Sequence, residues 1–341
     1  MSDPIHNINP NYKKHPSVSY SVDECKKGIA TQNPKILSYL ISKAESKISS
    51  DHDLLYEVLQ GVTDTGYSRV IALSGAPGVG KSTFVNSYGK HLVDKNYKIA
   101  VLPVDPSSNV SRGSILGDKT RMEDIVNSDK VYIKPMPSSL SVGGVAPASF
   151  LSTHICKLAK FDYIFVETVG VGQSEYEVRH LADLFILLLQ PGGGDDLQGI
   201  KRGIMEMADI MMVNKADGEL KVSAAHSLDA YKQSIKLMLP NEYGWKTRAG
   251  LYSSMENIFI KELDDIIDAY YKFMSSDDKL HRLRKKQNLH YFDTHYKDIL
   301  LQQLLGSENL NQEITNLRDG ITNNQLYPYI ALQKLKALSI T

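Results

Sequence analysis

Residues 74–83 have the types and spacing that bind a polyphosphate. They read Ser-Gly-Ala-Pro-Gly-Val-Gly-Lys-Ser-Thr and match the phosphate-loop pattern G-x-x-x-x-G-K-S/T. Glycine lets the backbone curl until its N–H groups point at phosphate oxygens, and the N-terminus of a following helix attracts the same anion. A turn that only links a strand to a helix is the alternative. The nucleotide-binding residues predicted here are Gly75, Ala76, Pro77, Gly78, Val79, Gly80, Lys81, Ser82 and Thr83.

Four of the residues in and after this loop could act on the phosphates themselves. Lys81 would reach the β- and γ-phosphates, and the Ser82 hydroxyl would complete the coordination shell of a magnesium ion. Glu167 ends a strongly apolar run, where a buried charge needs a partner, and fits a carboxylate linked to that magnesium. Gly170 would aim a backbone N–H at the γ-phosphate. The predicted catalytic residues are Lys81, Glu167 and Gly170.

Two aspartates are further candidates for the magnesium site. Asp105 follows another apolar run and could hold the metal directly or through water. A turn formed with Pro106 and Ser107 is equally compatible with its position. Asp118 lies in a polar stretch long enough to fold back over the metal. Because aspartates are common turn residues, the position of Asp118 alone favours a turn.

Residues 214–217 read Asn-Lys-Ala-Asp and also follow an apolar run. Guanine presents N1–H and N2–H₂ donors on one edge, and the Asp217 carboxylate can accept both, whereas adenine lacks this donor pair. Asn214 would tie these residues to the phosphate loop or contact the ring, and the stem of Lys215 would cover the base. A helix-capping turn is the alternative. The backbone N–H groups placed to meet guanine O6 are those of Ser253, Ser254 and Met255.

Two loops bear on hydrolysis and on how the bound nucleotide is signalled. Val171 stands where small GTPases carry a glutamine that orients the attacking water, and valine cannot orient water through a hydrogen bond. We therefore expect slow hydrolysis unless Gln173 or a group from a partner takes that role. Residues 191–203 contain three consecutive glycines, so a moving loop and a plain surface connection are both compatible with the sequence.

The candidate residues follow apolar runs that have the length of buried strands. Several runs are nearly continuous Val, Ile, Leu and Phe, which is typical of a parallel sheet covered by helices on both faces. Such sheets place their binding sites at the carboxyl ends of the strands, where the candidates lie. We therefore predict an α/β fold of the P-loop NTPase class with a mostly parallel sheet. The predicted strands are 69–74, 97–104, 131–135, 161–167, 184–189, 208–213 and 248–253.

Helical spacing occupies the chain on both sides of the predicted sheet. Pro34 and the apolar positions from Ile36 to Ile48 predict one helix, and those from Leu54 to Leu59 predict a second. Beyond residue 260 the pattern is helical throughout, and its apolar stripes need a cover, for which a second subunit is the simplest candidate. The predicted parts are an N-terminal arm and helical extension (1–62), a P-loop domain (63–260) and a C-terminal helical dimerisation arm (261–341).

Bulk composition limits the partners and the compartment. The 39 basic and 39 acidic residues cancel, so no overall charge draws the chain to nucleic acid or to a membrane. The basic stretch 279–286 is read as a solvated helix face. Two cysteines without a C-x-x-C pair argue against a disulfide scaffold. Because residues 1–20 lack the pattern of a signal or transit peptide, we expect a cytoplasmic protein. Because the overall charge is balanced, we expect no nucleic-acid or membrane partner.

Taken together, these residues resemble the MeaB/ArgK family of GTPases, which are chaperones of the adenosylcobalamin-dependent methylmalonyl-CoA mutase. The resemblance implies that Asp105, Asp118 and Glu167 are carboxylates of the magnesium site. It also implies that residues 195–203 signal the nucleotide state to the mutase and that the C-terminal helices form a homodimer. The resemblance covers most of the chain and is most specific in residues 104–108, 113–122, 167–175 and 195–203.

The chain departs from the family pattern at a few positions. Arg112 and Leu140 stand where the family has glycine, and a side chain restricts φ where glycine does not. Residues 253–255 read Ser-Ser-Met in place of the usual Ser-Ala-Leu, which matters little if backbone groups contact the base.

The resemblance implies a magnesium-dependent, GTP-binding and GTP-hydrolysing chaperone that gates cofactor loading or protection of a cobalamin-dependent mutase. A P-loop kinase that passes the γ-phosphate of GTP or ATP to a protein or small molecule is the alternative, although no catalytic-loop aspartate is evident. A GTPase that delivers nickel or zinc would need a histidine run or a cysteine cluster, which the sequence lacks.

Overall fold

A parallel sheet organises the computed structural model, which describes residues 19–46, 48–60, 62, 66–105, 122–137, 147–168, 178–192, 202–305, 308–323, 325–326 and 328–337. Its strands are β1 (Arg69–Gly75), β2 (Ile99–Asp105), β3 (Val131–Ile133), β4 (Met136–Pro137), β5 (Tyr163–Thr168), β6 (Leu184–Leu189), β7 (Ile210–Val213) and β8 (Arg248–Leu251). Their order is β3-β2-β5-β1-β6-β7-β8, and β4 pairs with β2. All seven predicted strands are confirmed, with ends within three residues of those expected. The two-residue β4 was not predicted.

The strand register brings the ends of β1, β5 and β6 together. Leu73 of β1 pairs with Glu167 of β5, and Gly75 pairs with Leu188 of β6. Leu189 at the end of β6 in turn pairs with Val213 at the end of β7. Because every strand pair is parallel, the segments that follow these strands leave the sheet at one edge.

Helices cover both faces of the sheet. Alternate strand residues form two cores: Val70 and Ala72 face one, and Ile71 and Leu73 face the other. The helices are α1 (Val22–Ala30), α2 (Pro34–Ala44), α3 (Ser49–Leu59), α4 (Lys81–Asp94), α5 (Pro147–Leu158), α6 (Arg202–Met207), α7 (Lys221–Lys236), α8 (Ile260–Ser275), α9 (Lys279–Leu305), α10 (Glu308–Thr322) and α11 (Pro328–Ala337). Helices α1–α3 and α5–α7 contribute to the first core, and α4 and α8 to the second.

The N-terminal helices differ from the prediction in two details. Helix α1 was not predicted, although Ser21 and Glu24 form a capping box at its start. Ile48 does not extend α2, so that part of the prediction is wrong: it precedes α3, and 61% of its surface is exposed. The helices predicted from Pro34 and from Leu54 to Leu59 are confirmed as α2 and α3. Residues 1–18 lie outside the described residues.

The C-terminal region is helical, as predicted, but α8 and the start of α9 pack into the second core. Leu283 is buried, and Arg284 forms an ion pair with the fully buried Asp183. The prediction of a solvated helix face is therefore wrong for Arg284, because the start of α9 packs beside β6. Further along, α9 exposes large apolar side chains that include Phe292 and Ile299. Within the described helices, none combines the length and the apolar character needed to cross a membrane.

Candidate functional site

The phosphate loop packs directly against its neighbours at two glycines. Gly75 and Gly80 have φ angles of +151° and +96°, which side-chain-bearing residues rarely adopt. A Cβ atom on Gly75 would lie 2.5 Å from the Leu188 carbonyl oxygen, and one on Gly80 would lie 2.7 Å from Asn214 Nδ2. The loop therefore lies against β6 and against the residue that follows β7. Both contacts require glycine.

Lys81 places its charge at the centre of this loop. It is the first residue of α4 and is only 7% exposed. Its Nζ donates hydrogen bonds to the carbonyl oxygens of Gly75, at 2.7 Å, and Ala76, at 3.2 Å. A buried ammonium group next to the N-terminus of α4 makes a positive site, which suits a phosphate anion.

Ser82 and Glu167 meet across the space between α4 and β5. The Ser82 hydroxyl donates to Glu167 Oε1 at 2.7 Å, and Glu167 is buried. A hydroxyl and a carboxylate at this separation fit the oxygen ligands that magnesium prefers. Among the described residues there is no group of three or more His, Cys, Asp or Glu side chains that could hold a metal. Of the residues predicted to hold magnesium, Ser82 and Glu167 are thus the two whose side chains meet in the described structure.

The other predicted phosphate-site residues are only partly within the described structure. Asp105 ends β2, and its neighbour Val104 pairs with Thr168, which directly follows Glu167. The backbone thus brings Asp105 to the same edge as Glu167. Gly170, Asp118 and residues 193–201 lie outside the described residues, as do Arg112 and Leu140.

The side chains of Asn214 and Lys215 join the base end of the site to the phosphate end. Asn214 Nδ2 donates to the Val79 carbonyl oxygen at 2.8 Å, and Lys215 Nζ donates to that of Gly78 at 2.8 Å. Asn214 is buried. Of the two roles predicted for Asn214, the structure shows the hydrogen bond to the phosphate loop. The stem of Lys215 extends from residues 214–217 to the phosphate loop. In this position the stem can cover the face of a flat ring.

Residues 252–259, which we call the base loop, are held by the same segment. Asn214 Oδ1 accepts hydrogen bonds from the Ser254 backbone N, at 3.3 Å, and from its hydroxyl, at 2.9 Å. The Ser253 hydroxyl donates to the Asp217 carboxylate. Met255 is 76% exposed, so its side chain is not part of these contacts. Asn214 therefore uses its amide nitrogen at the phosphate loop and its amide oxygen at the base loop.

Sequence reasoning missed Ser87, Tyr252 and Asn257, which connect the base loop to α4. The Ser87 hydroxyl contacts both of the other side chains, which lie 165 and 170 residues away in the chain. No local pattern marks a serine in the middle of a helix as the partner of so distant a loop.

The chain matches a family of GTPases over most of its length. The family described as Methylmalonyl Co-A mutase-associated GTPase MeaB matches residues 37–309. The chain is 34% identical over 300 residues to the GTPase ArgK of Escherichia coli (strain K12), covering 88% of this chain and 91% of that protein. The mitochondrial Methylmalonic aciduria type A homolog of Mus musculus is 36% identical over 258 residues, which cover 76% of this chain and 62% of that protein.

A solved structure shares the fold. The crystal structure of a protein described as an LAO/AO transport system kinase superposes with a TM-score of 0.69 at 26% sequence identity. The superposition covers 94% of this chain and 98% of that chain. The sheet and the helices that flank it therefore have a precedent among solved proteins.

Proposed function

Because the chain belongs to the MeaB family of methylmalonyl-CoA mutase-associated GTPases, we propose that it is a guanine-nucleotide switch for an adenosylcobalamin-dependent acyl-CoA mutase. The protein is a GTPase. In the proposed role, GTP binding and hydrolysis gate the loading of the mutase cofactor or its protection. The observation that carries the proposal is Asn214, whose two amide atoms join the phosphate loop to the base loop.

Guanine recognition falls to the residues after β7. The Asp217 carboxylate accepts the N1–H and N2–H₂ donors of guanine, in the position where it now accepts from Ser253. Of the three backbone N–H groups expected to meet guanine O6, those of Ser253 and Ser254 already donate to the Ile258 carbonyl oxygen and to Asn214 Oδ1. These two bonds order the base loop before the base arrives, and the Met255 N–H meets guanine O6.

Phosphate binding and hydrolysis fall to the phosphate loop and to the end of β5. Lys81 moves its hydrogen bonds from the loop carbonyls to the β- and γ-phosphates, and Gly170 donates its N–H to the γ-phosphate. Ser82 and Glu167 would hold magnesium, with Asp105 and Asp118 as the further carboxylates that the family resemblance implies. When bound, the metal would supply positive charge that neutralises the phosphates.

Because position 171 carries valine in place of glutamine, another group must orient the attacking water, and the partner can supply it. The Val171 side chain cannot hydrogen-bond a water molecule, so hydrolysis by the isolated protein is slow unless Gln173 takes that role. Either Gln173 or a group from the mutase then orients the attacking water. Residues 195–203 report the nucleotide state to that partner. The exposed apolar side chains of α9 and α11 suit a homodimer formed through the C-terminal arm. We place this homodimer in the cytoplasm.

A pull-down from the source cell tests the mutase assignment. The protein is loaded either with a non-hydrolysable GTP analogue or with GDP, and captured proteins are searched for an adenosylcobalamin enzyme. We expect such an enzyme, with capture that differs between the two nucleotides. Lys81→Ala, which loses the phosphate contact, is the control that should not show the nucleotide difference. If no cobalamin enzyme is captured in either state, the chaperone role is wrong.

Phosphoryl transfer to an acceptor is the second candidate, because the structural neighbour is described as a kinase. GTP labelled in the γ-phosphate separates the two functions. In a switch, the label appears as free phosphate and the mutase partner raises its rate of release. In a kinase, the label moves to a protein or a small molecule from the source cell.

A further inference from the structure

Two hydrogen bonds link the helix after the phosphate loop to the base loop. The hydroxyl oxygen of Ser87, on α4, lies 2.9 Å from the Tyr252 hydroxyl and 2.6 Å from Asn257 Oδ1. Because Asn257 Oδ1 can only accept, Ser87 donates its single proton there and accepts the proton of Tyr252. Burial raises the pKa of Tyr252 above the ordinary range of tyrosine, which keeps that donor protonated.

The base loop has a backbone that needs support from outside. Asn257 and Phe259 have φ angles of +55° and +67°, in the left-handed region, which asparagine tolerates but a bulky residue such as Phe259 rarely adopts. The two ends of the loop are joined by a bridge in which the Ser253 backbone N donates to the Ile258 carbonyl oxygen at 3.3 Å. Between these ends lies Met255, whose backbone N–H is expected to meet guanine.

Two side chains from elsewhere in the fold hold this segment from opposite ends. Asn214 bonds Ser254 at its start, and Ser87 bonds Asn257 near its end. Ser87 is buried and lies five residues after Ser82 on the same helix. Helix α4 therefore carries the phosphate-site groups on its first turn and the support of the base loop about one and a half turns later.

We infer that Ser87 is a positioning residue for guanine recognition, which acts through Asn257 to hold the base loop, and with it the Met255 backbone N–H, against guanine O6. The inference rests on the guanine site proposed above. Ser87 belongs to neither the phosphate loop nor residues 214–217, and it acts on the nucleotide only through another side chain.

Nucleotide binding by Ser87→Ala tests this role. Removing one hydrogen bond that orders the loop should weaken GDP and GTP binding about five- to tenfold in calorimetry. The kcat of GTP hydrolysis at saturating GTP should change by less than about twofold, because Ser87 does not position the γ-phosphate groups. Ser87→Thr keeps the hydroxyl and should restore binding. Ser152→Ala is the matched control, since it removes a buried helix hydroxyl that bonds the Ala148 carbonyl oxygen away from the site.

A base analogue distinguishes positioning from general loosening of the fold. In 6-thio-GDP, sulfur replaces O6 and accepts hydrogen bonds more weakly. The cost of this replacement should be smaller in Ser87→Ala than in the wild type, because the variant no longer holds the Met255 N–H in place. Asn257→Ala should match Ser87→Ala, and the double variant should lose no more than either single variant.

Two results would overturn the inference, and a third concerns a different claim. Wild-type GDP affinity in Ser87→Ala refutes the role, and so does an unchanged cost of the sulfur replacement. If the wild-type protein itself binds ADP as tightly as GDP, the proposed guanine site is wrong, whatever Ser87 does. Comparing ADP with GDP on the wild type before any variant is made therefore separates the two failures.

Discussion

Replacing Arg284 by methionine should strongly destabilise the protein, because it leaves a buried carboxylate without its cation. Asp183 is fully buried, and its two oxygens accept from Arg284 Nε and Nη2, both at 2.8 Å. The same Arg284 Nη2 also donates to the Ser68 carbonyl oxygen. In the variant, the Val70 backbone N still bonds Asp183, but the opposing charge is gone.

The expected loss is several times that of an ordinary surface ion pair. Removing one partner of a buried pair costs about 3–5 kcal/mol, since the remaining charge is left in a poorly polarisable interior. With an unfolding entropy of about 2.1 cal/mol/K per residue, a chain of 341 residues loses about 4–7 °C in Tm. Lys286, two residues away, forms an exposed pair with Glu242 and should contribute about 0–1 kcal/mol.

Thermal and urea unfolding of Arg284→Met and Lys286→Met measure this difference. Both variants remove a cation from the same helix and put the same side chain in its place, so helix propensity is nearly matched. We expect a large loss for Arg284→Met and a small one for Lys286→Met. Equal losses would refute the reasoning, because they would mean that burial of the Asp183 charge does not decide the cost.

The pH dependence of the same variant provides a second check. In the wild type, burial acts to raise the pKa of Asp183, but Arg284 outweighs it and the net pKa is lowered. Without Arg284, burial is opposed only by the Val70 hydrogen bond and the charge of Lys157, so we expect the pKa to rise above that of the unfolded chain. A raised carboxyl pKa disfavours folding increasingly as the pH rises. The deficit of Arg284→Met should therefore shrink as the pH falls from about 7.5 towards 5.

Three further variants test the site and one titrating contact. Asp217→Asn should weaken GDP binding about a hundredfold or more in calorimetry and favour xanthosine nucleotides; unchanged base preference would contradict the role of Asp217. Glu167→Gln should raise the magnesium concentration needed for half-maximal GTP hydrolysis about 10–100-fold, and an unchanged magnesium titration would remove Glu167 from the site. Burial and the stacked His290 lower the pKa of His180 to about 4. Stability should therefore fall as the pH drops below about 6.5, and it should fall less steeply in His180→Gln. An identical dependence of Tm on pH in the two proteins would contradict this.

The sheet could be predicted because its strands are buried on both faces. Residues 184–189 are all apolar and all buried in β6, as is typical of a strand covered on both faces of a parallel sheet. The same reasoning fails for β4, since two residues carry no pattern of their own. It also fails at Ile48, whose apolar character placed it on α2, although the helix had already ended at Ala44.

The sequence shows why the candidate residues that the structure describes lie at one edge of the sheet, but not which of them are in contact. The phosphate loop and residues 214–217 each follow a strand, so a parallel sheet brings them to one edge. The bond from Asn214 to Val79 depends on which strands are neighbours, and the order β1-β6-β7 is not written in any local pattern. Arg284 shows the same limit: a basic stretch is usually solvated, and its partner Asp183 lies 101 residues earlier.

The long-range contacts that the sequence does not reveal are also the ones that join the two ends of the nucleotide site. Asn214 connects Val79 to Ser254 through one planar amide, and Ser87 connects α4 to Asn257. A change in the phosphate loop therefore alters the support of the base loop, because the same rigid groups hold both. Binding of the base and of the phosphates should accordingly be coupled, since ordering one of the two loops costs less conformational entropy once the other loop is already ordered.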